Sequence, residues 1–141
     1  MFKYIRKVFG FYKTNESGAA GVEFALIAIP FLLMIFGVME AGRIMWIMNS
    51  VQYSVEETSR YASLNSNLPE GEFQTYAENI LNDMFVPSSE LRLSSSTVTS
   101  NGIDFVSIDA SYTISLIVTG LLPNDLGVFD YDTVVRKPII N

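Results

Sequence analysis

The sequence has no cysteine and no histidine. Without cysteine, disulfides and thiolate chemistry are excluded, and nothing can be read about redox compartment. Without histidine, the chain lacks the commonest general base and the commonest metal ligand. A hydrolase would then need a carboxylate pair or a Ser/Lys dyad. Beyond Lys13 the only lysine is Lys137, and no serine sits in a nucleophile elbow. An enzyme is not expected, and no cofactor is implied. Charge is scarce as well, at 17% of residues against 49% hydrophobic. That is too apolar for a disordered chain, and 141 residues are too few for a multi-span transporter.

The few charges are unevenly placed. The first 18 residues carry Lys3, Arg6, Lys7 and Lys13 against Glu16, a net of +3, and the remainder carries a net of −9. An acidic body argues against a nucleic-acid partner, because phosphate binding needs a basic face. A basic start before an apolar run predicts an N-terminus on the cytoplasmic side of a membrane.

From Phe24 to Met39 there is no charge, and extending back to Ala19 gives 21 residues interrupted only by Glu23. About 20 helical residues span the roughly 30 Å hydrocarbon core, so a transmembrane helix over residues 19–43 is expected. Glu40 and Arg43, at i and i+3, can pair on one helix face, and with Trp46 they suit the membrane interface. A cleavable secretory signal is disfavoured: the run is too long, and no small-x-small site follows it. A buried core helix would need a wider apolar partner than this chain offers. Pro30 removes a backbone donor in mid-span and predicts a kink.

The decisive junction is Gly18-Ala19-Ala20-Gly21-Val22-Glu23-Phe24. A basic leader ends in glycine, the apolar run starts at once, and a single acid lies five residues past the glycine. Here the sequence resembles the type IV pilin superfamily, and within it the TadE-like proteins of the tight adherence (Flp) pilus system. The resemblance covers about residues 14–62. It makes Gly18 and Ala19 the two sides of a prepilin peptidase cut, and Glu23, followed by Phe24, the glutamate that sets register between subunits. Pro30 takes the place of the mid-helix proline. Glu40, Gly42 and Arg43 stand for the acid-x-Gly-Arg ending of the membrane helix, and Arg60-Tyr61-Ala62 for a further short block. Thr58 and Ser59 stand where the family usually has alanines. In the pilin analogy the new Ala19 amine pairs with Glu23 of a neighbouring subunit; a glutamate reaching toward lipid headgroups is the plainer alternative.

Past the membrane, Ile44, Ile47, Val51, Val55 and Ala62 recur at helical spacing, while Asn49, Gln52, Glu56, Glu57 and Arg60 face away. The helix is expected to reach about Ser63. Asn67-Leu68-Pro69-Glu70 reads as a second helix start with Asn67 as cap. Phe73, Ala77, Ile80, Leu81 and Met84 form its apolar stripe, and Pro87 ends it. Leu91 and Leu93 open a strand, Ser100-Asn101-Gly102 is a hairpin turn, and Val106, Ile108, Ala110, Tyr112, Ile114, Leu116 and Val118 alternate with polar residues. A loop from Gly120 to Gly127 leads to a last strand near Tyr131–Lys137. The expected fold class is α+β: a long N-terminal transmembrane and amphipathic helix, a second helix, and an antiparallel sheet of three to four strands, as in pilins. Asp125, Asp130 and Asp132 lack EF-hand spacing and read as turn chemistry rather than a calcium site. Leu121, Leu122 and Leu126 read as the lid of the core. Tyr53, Tyr61, Tyr76, Tyr112 and Tyr131 read as core and rim.

The expected organisation is a cytoplasmic leader (1–18), a membrane helix (19–43) and an extracytoplasmic head (44–141). The resemblance implies a minor pilin or pseudopilin in the bacterial inner membrane with a periplasmic head, one that either enters an extracellular pilus or assists its assembly. Its partners would be the prepilin peptidase, other pilins or pseudopilins, the inner-membrane assembly platform and the lipid bilayer. The alternative is an uncleaved, membrane-anchored periplasmic scaffold or binding protein.

Overall fold

The apolar run contains no residue that forces the backbone out of a helix except Pro30. A computed structural model, which describes residues 16–65, 69–117 and 127–140, carries the run through as one helix, α1 (Glu16–Leu64). Pro30 lies inside it, so the Leu26 carbonyl has no amide donor one turn on. The chain divides after Met39 into two compact units. In the first, every large apolar side chain from Val22 to Met39 is exposed, Phe24 by 73%. Among the described residues this is the one helix long and apolar enough to cross a membrane, and its most apolar window is 0% buried. The apolar stretch up to Met39 is therefore not part of the core formed by the described residues.

The second unit, from Glu40 onward, is the head. It holds the rest of α1, then α2 (Glu70–Asp83), a 3-10 turn (Ser88–Glu90), and strands β1 (Leu91–Ser100), β2 (Ile103–Ser115) and β3 (Val128–Pro138). The sheet is antiparallel in the order β1-β2-β3. β1 and β2 join through Asn101 and Gly102, both at positive φ (53° and 76°), the backbone that a two-residue hairpin requires. Period-two alternation puts Val106, Ile108, Ala110, Tyr112 and Ile114 on one face of the central strand, and all five are buried. They pack on Ile47, Val51, Val55 and Ala62 of α1 and on Phe73, Ala77 and Leu81 of α2. Each such side chain contributes about 1.5–3 kcal/mol when fully buried. Tyr61 of α1 stacks on Tyr76 of α2 (centroids 4.5 Å apart) and meets Phe73 edge-on.

The sequence pattern left a row of buried hydroxyls on α1 unassigned: Ser50, Ser54, Thr58, Ser59 and Ser63. Four donate to carbonyls three or four residues back in their own helix. Ser54 instead donates across to the Ala77 carbonyl of α2, at 2.9 Å. Small, internally satisfied side chains let the elements approach closely without stranding a polar group. That is why Thr58 and Ser59 serve where alanine would.

Several local expectations are corrected. The residue that caps α2 is Pro69, with no side-chain cap; Asn67 lies outside the described residues. Glu70 and Glu72 place negative charge in the first turn instead. α2 ends before Pro87 is reached. The Val86 N–H donates to the Leu81 carbonyl and the Phe85 N–H to the Asn82 carbonyl, the paired bonds of a Schellman motif. Its left-handed position is Phe85, at φ 58°, where a residue with a Cβ costs about 1–2 kcal/mol. β2 stops at Ser115, and the Leu116 N–H pairs with the Gly127 carbonyl. β3 begins earlier than expected, at Val128, because Val128 and Phe129 extend the ladder opposite Ser115 and Ile114. Val118, Leu121, Leu122, Asp125 and Leu126 lie outside the described residues.

The two sheet edges are treated differently. Glu70 accepts the Ser95 N–H (2.7 Å) and Gln74 donates to the Leu91 carbonyl (3.2 Å), so α2 occupies outward-pointing backbone groups of β1. β3 carries Asp130, Asp132, Arg136 and Lys137, charges of the kind that discourage stray strand pairing.

Leu81 is fully buried and Val98 is 39% exposed. Leu81→Ala is expected to lower head stability by about 2–5 kcal/mol, and Val98→Ala by about 0.5 kcal/mol or less. Urea unfolding of the full chain in detergent, followed by tyrosine fluorescence, measures both.

Candidate functional site: the Glu40 clasp

Glu40 follows the uncharged run directly and is the first residue of the head, yet its side chain is only 10% exposed. A carboxylate so placed needs compensating donors. Arg43, one turn later on the same face, supplies two: Nε donates to Oε2 (3.2 Å) and Nη2 donates to Oε1. The third donor is the Ile117 N–H, 3.1 Å from Oε1. The Arg43 Nη2 also donates to the Ser115 carbonyl. Two side chains at the start of the head thus hold two backbone groups at the C-terminal end of β2, across more than 70 residues of sequence. Such charge-assisted bonds are about twice as strong as neutral ones.

The clasp borders a cavity of about 170 Å³ lined by Arg43, Ile47, Pro87, Glu90, Tyr112 and Ser115, among others. The Tyr112 phenol donates to the Pro87 carbonyl at 2.7 Å. Burial pushes that phenol above its ordinary range; the Glu90 carboxylate adds to the effect and the Arg43 guanidinium opposes it. The cavity offers no nucleophile–base pair. Its chemistry is structural: a satisfied ion pair ties strand end to helix.

Of the other residues singled out in the sequence, Gly18, Ala19, Glu23, Phe24 and Pro30 lie along α1 and are exposed. Glu23 has no hydrogen-bond or ion-pair partner among the described residues. Trp46 is 56% exposed, and its carbonyl accepts the Ser50 hydroxyl. A Cβ added at Gly42 would meet nothing, so the clasp itself sets no steric need for that glycine. Arg60 forms only a long, exposed pair with Glu57, at 3.9 Å. Asp130 accepts the Thr113 hydroxyl (2.9 Å), while Asp132 lines an open depression with Arg92 and Asp109. Among the described residues no three acidic, histidine or cysteine side chains gather to hold an ion.

Sequence reasoning found the Glu40–Arg43 pair but not its partners. The Ile117 N–H and Ser115 carbonyl are backbone groups, present at every residue, and nothing in a sequence marks those two.

The segment that contains both the exposed apolar helix and the clasp can be compared with known families. Residues 18–60 match the family model of TadE-like proteins. No curated protein and no solved structure matches the chain. The TadE-like segment starts at Gly18, takes in Glu23, Pro30, Glu40 and Arg43, and ends at Arg60, before α2 and the sheet. The match covers 43 of the 141 residues and holds the whole apolar run.

Glu40→Ala removes the acceptor of three bonds. Hydrogen exchange at the Ile117 amide is expected to rise about 10-fold or more, equivalent to roughly 1.4 kcal/mol, while the Ile108 amide in the sheet centre keeps its protection. NMR of the full chain in micelles reads both amides.

Proposed function

We propose that this protein is a minor pilin or pseudopilin of a tight adherence pilus. Prepilin peptidase removes residues 1–18, and the mature chain stays in the inner membrane by α1, with its head in the periplasm. One observation carries this reading: an apolar run with every large side chain exposed begins directly after a glycine that ends a basic leader. Cutting before the apolar run, rather than after it, leaves the mature protein with a rod that lipid or neighbouring subunits must cover. The cations Lys3, Arg6, Lys7 and Lys13 support a cytoplasmic leader.

Gly18 and Ala19 lie near the start of α1. A glycine lowers the cost of the extended backbone a peptidase binds. After the cut, the Ala19 amine is largely cationic at neutral pH. Glu23 on a neighbouring subunit is its proposed partner, an ion pair whose value lies in register more than in stability. Pro30 is the proposed point of local unwinding when helices pack in a filament. The other pilins and the inner-membrane assembly platform are the partners this reading implies.

Gly18→Val is expected to block processing, leaving only the slower-migrating unprocessed form on a gel of membranes from a host with the peptidase. Glu23→Ala is expected to leave processing and insertion intact but to reduce filament assembly several-fold, scored by shearing and immunoblotting. Wild-type migration of Gly18→Val would remove the proposed cut. An unprocessed wild-type chain that stays in the membrane would favour the uncleaved anchored scaffold. Normal piliation in Glu23→Ala would remove the register role.

A further inference from the structure

Phe85 is a bulky residue in the left-handed region, and it is 96% exposed. Glycine makes the same helix ending without strain, so neither the backbone nor the ring of Phe85 gains anything from the described residues. Strain with no internal return marks a site whose partner lies outside.

The surroundings of Phe85 say where it lies. Two residues on, the Pro87 carbonyl holds the Tyr112 phenol, and Pro87 lines one cavity with Arg43 and Ser115. Arg43 is less than one helical turn past Glu40, about 4.5 Å of rise, and Glu40 follows the uncharged run. Ile117, 73% exposed, lies at the same end, its N–H held by Glu40. Val128 (54% exposed) pairs with Ser115, and Phe129 (47%) with Ile114. These side chains come from the end of α2, the end of β2 and the start of β3. Since β1, beside α2, and β3 are opposite edges of the sheet, they extend across its whole width.

We infer that this end of the head is a membrane-docking surface: Phe85 and Ile117 enter the interfacial layer of the bilayer. The inference rests on the anchored reading of α1 given above. A lipid surface fits better than a second copy of the chain. Ile117 is held by Glu40, the first residue after the uncharged run, and the residues just beyond a membrane span fall in the headgroup layer, about 5–7 Å thick on each side. Aromatic side chains favour that layer.

Trp46 is the only tryptophan, so single reporters are clean in a Trp46→Phe background. The full chain goes into phosphatidylcholine vesicles brominated either near the headgroup or deep in the acyl chain. Phe31→Trp, in the apolar run, reports the anchor. Phe85→Trp and Ile117→Trp report docking, and Ile103→Trp, beside the hairpin turn at the other end of β2, is the control. Deep bromines should quench Phe31→Trp. Headgroup-level bromines should quench Phe85→Trp and Ile117→Trp at least 2-fold more than Ile103→Trp. Adding Phe85→Gly should raise the melting temperature yet weaken quenching at Ile117→Trp. If Phe31→Trp is quenched but positions 85 and 117 match position 103, docking is overturned and the anchor stands. If Phe31→Trp is not quenched, the anchor fails and docking with it. Protection at 85 and 117 that depends on protein density rather than on bromine position means a second copy covers the surface, and also overturns the inference.

Discussion

The apolar surface of α1 cannot remain in water. From Val22 to Met39 every large side chain is exposed, with none of the described residues covering it. At about 25 cal/mol for each Å² of apolar surface, the penalty for leaving such a helix hydrated is larger than the 5–15 kcal/mol that stabilises a typical small domain. Lipid or the helices of neighbouring subunits must cover it. That requirement explains why a charged leader stands before the run, why no charge but Glu23 interrupts it, and why the chain turns polar only from Glu40 onward.

Glu40 is the first residue after the uncharged run, and the fold uses it accordingly. Arg43 neutralises the carboxylate, and the remaining capacity of both groups goes to the end of β2. The central strand therefore ends where the head helix begins. The head's core is built one layer deep, α1 and α2 on one face of three strands, and the buried serines and Thr58 let the helices lie close. A single ion pair placed at this corner fixes a strand end that would otherwise fray, without needing a longer sheet.

Much of this was legible in residue order, for physical reasons. β2 shows strict alternation over ten residues because one face is buried and the other is not. Asn101-Gly102 is a turn because those residues tolerate positive φ. The stripe from Ile47 to Ala62 has helical period because it faces a core. What stayed hidden depends on geometry that residue types do not encode. Phe85 occupies a glycine position, so no turn signal marks it. Val128 and Phe129 are adjacent apolar residues with no alternation to announce a strand. Ser50 and Ser54 carry no sequence signal of burial, although both are buried with their hydroxyls satisfied. Glu40 advertises its arginine but not the two backbone groups that complete the clasp.

The central claim is that the covered helix survives maturation while the segment before it does not. Intact-mass spectrometry of the protein extracted from native membranes tests this directly. The account predicts one species whose mass corresponds to residues 19–141, with the apolar helix retained. A species that keeps residues 1–18, or one that begins after Met39, would contradict it.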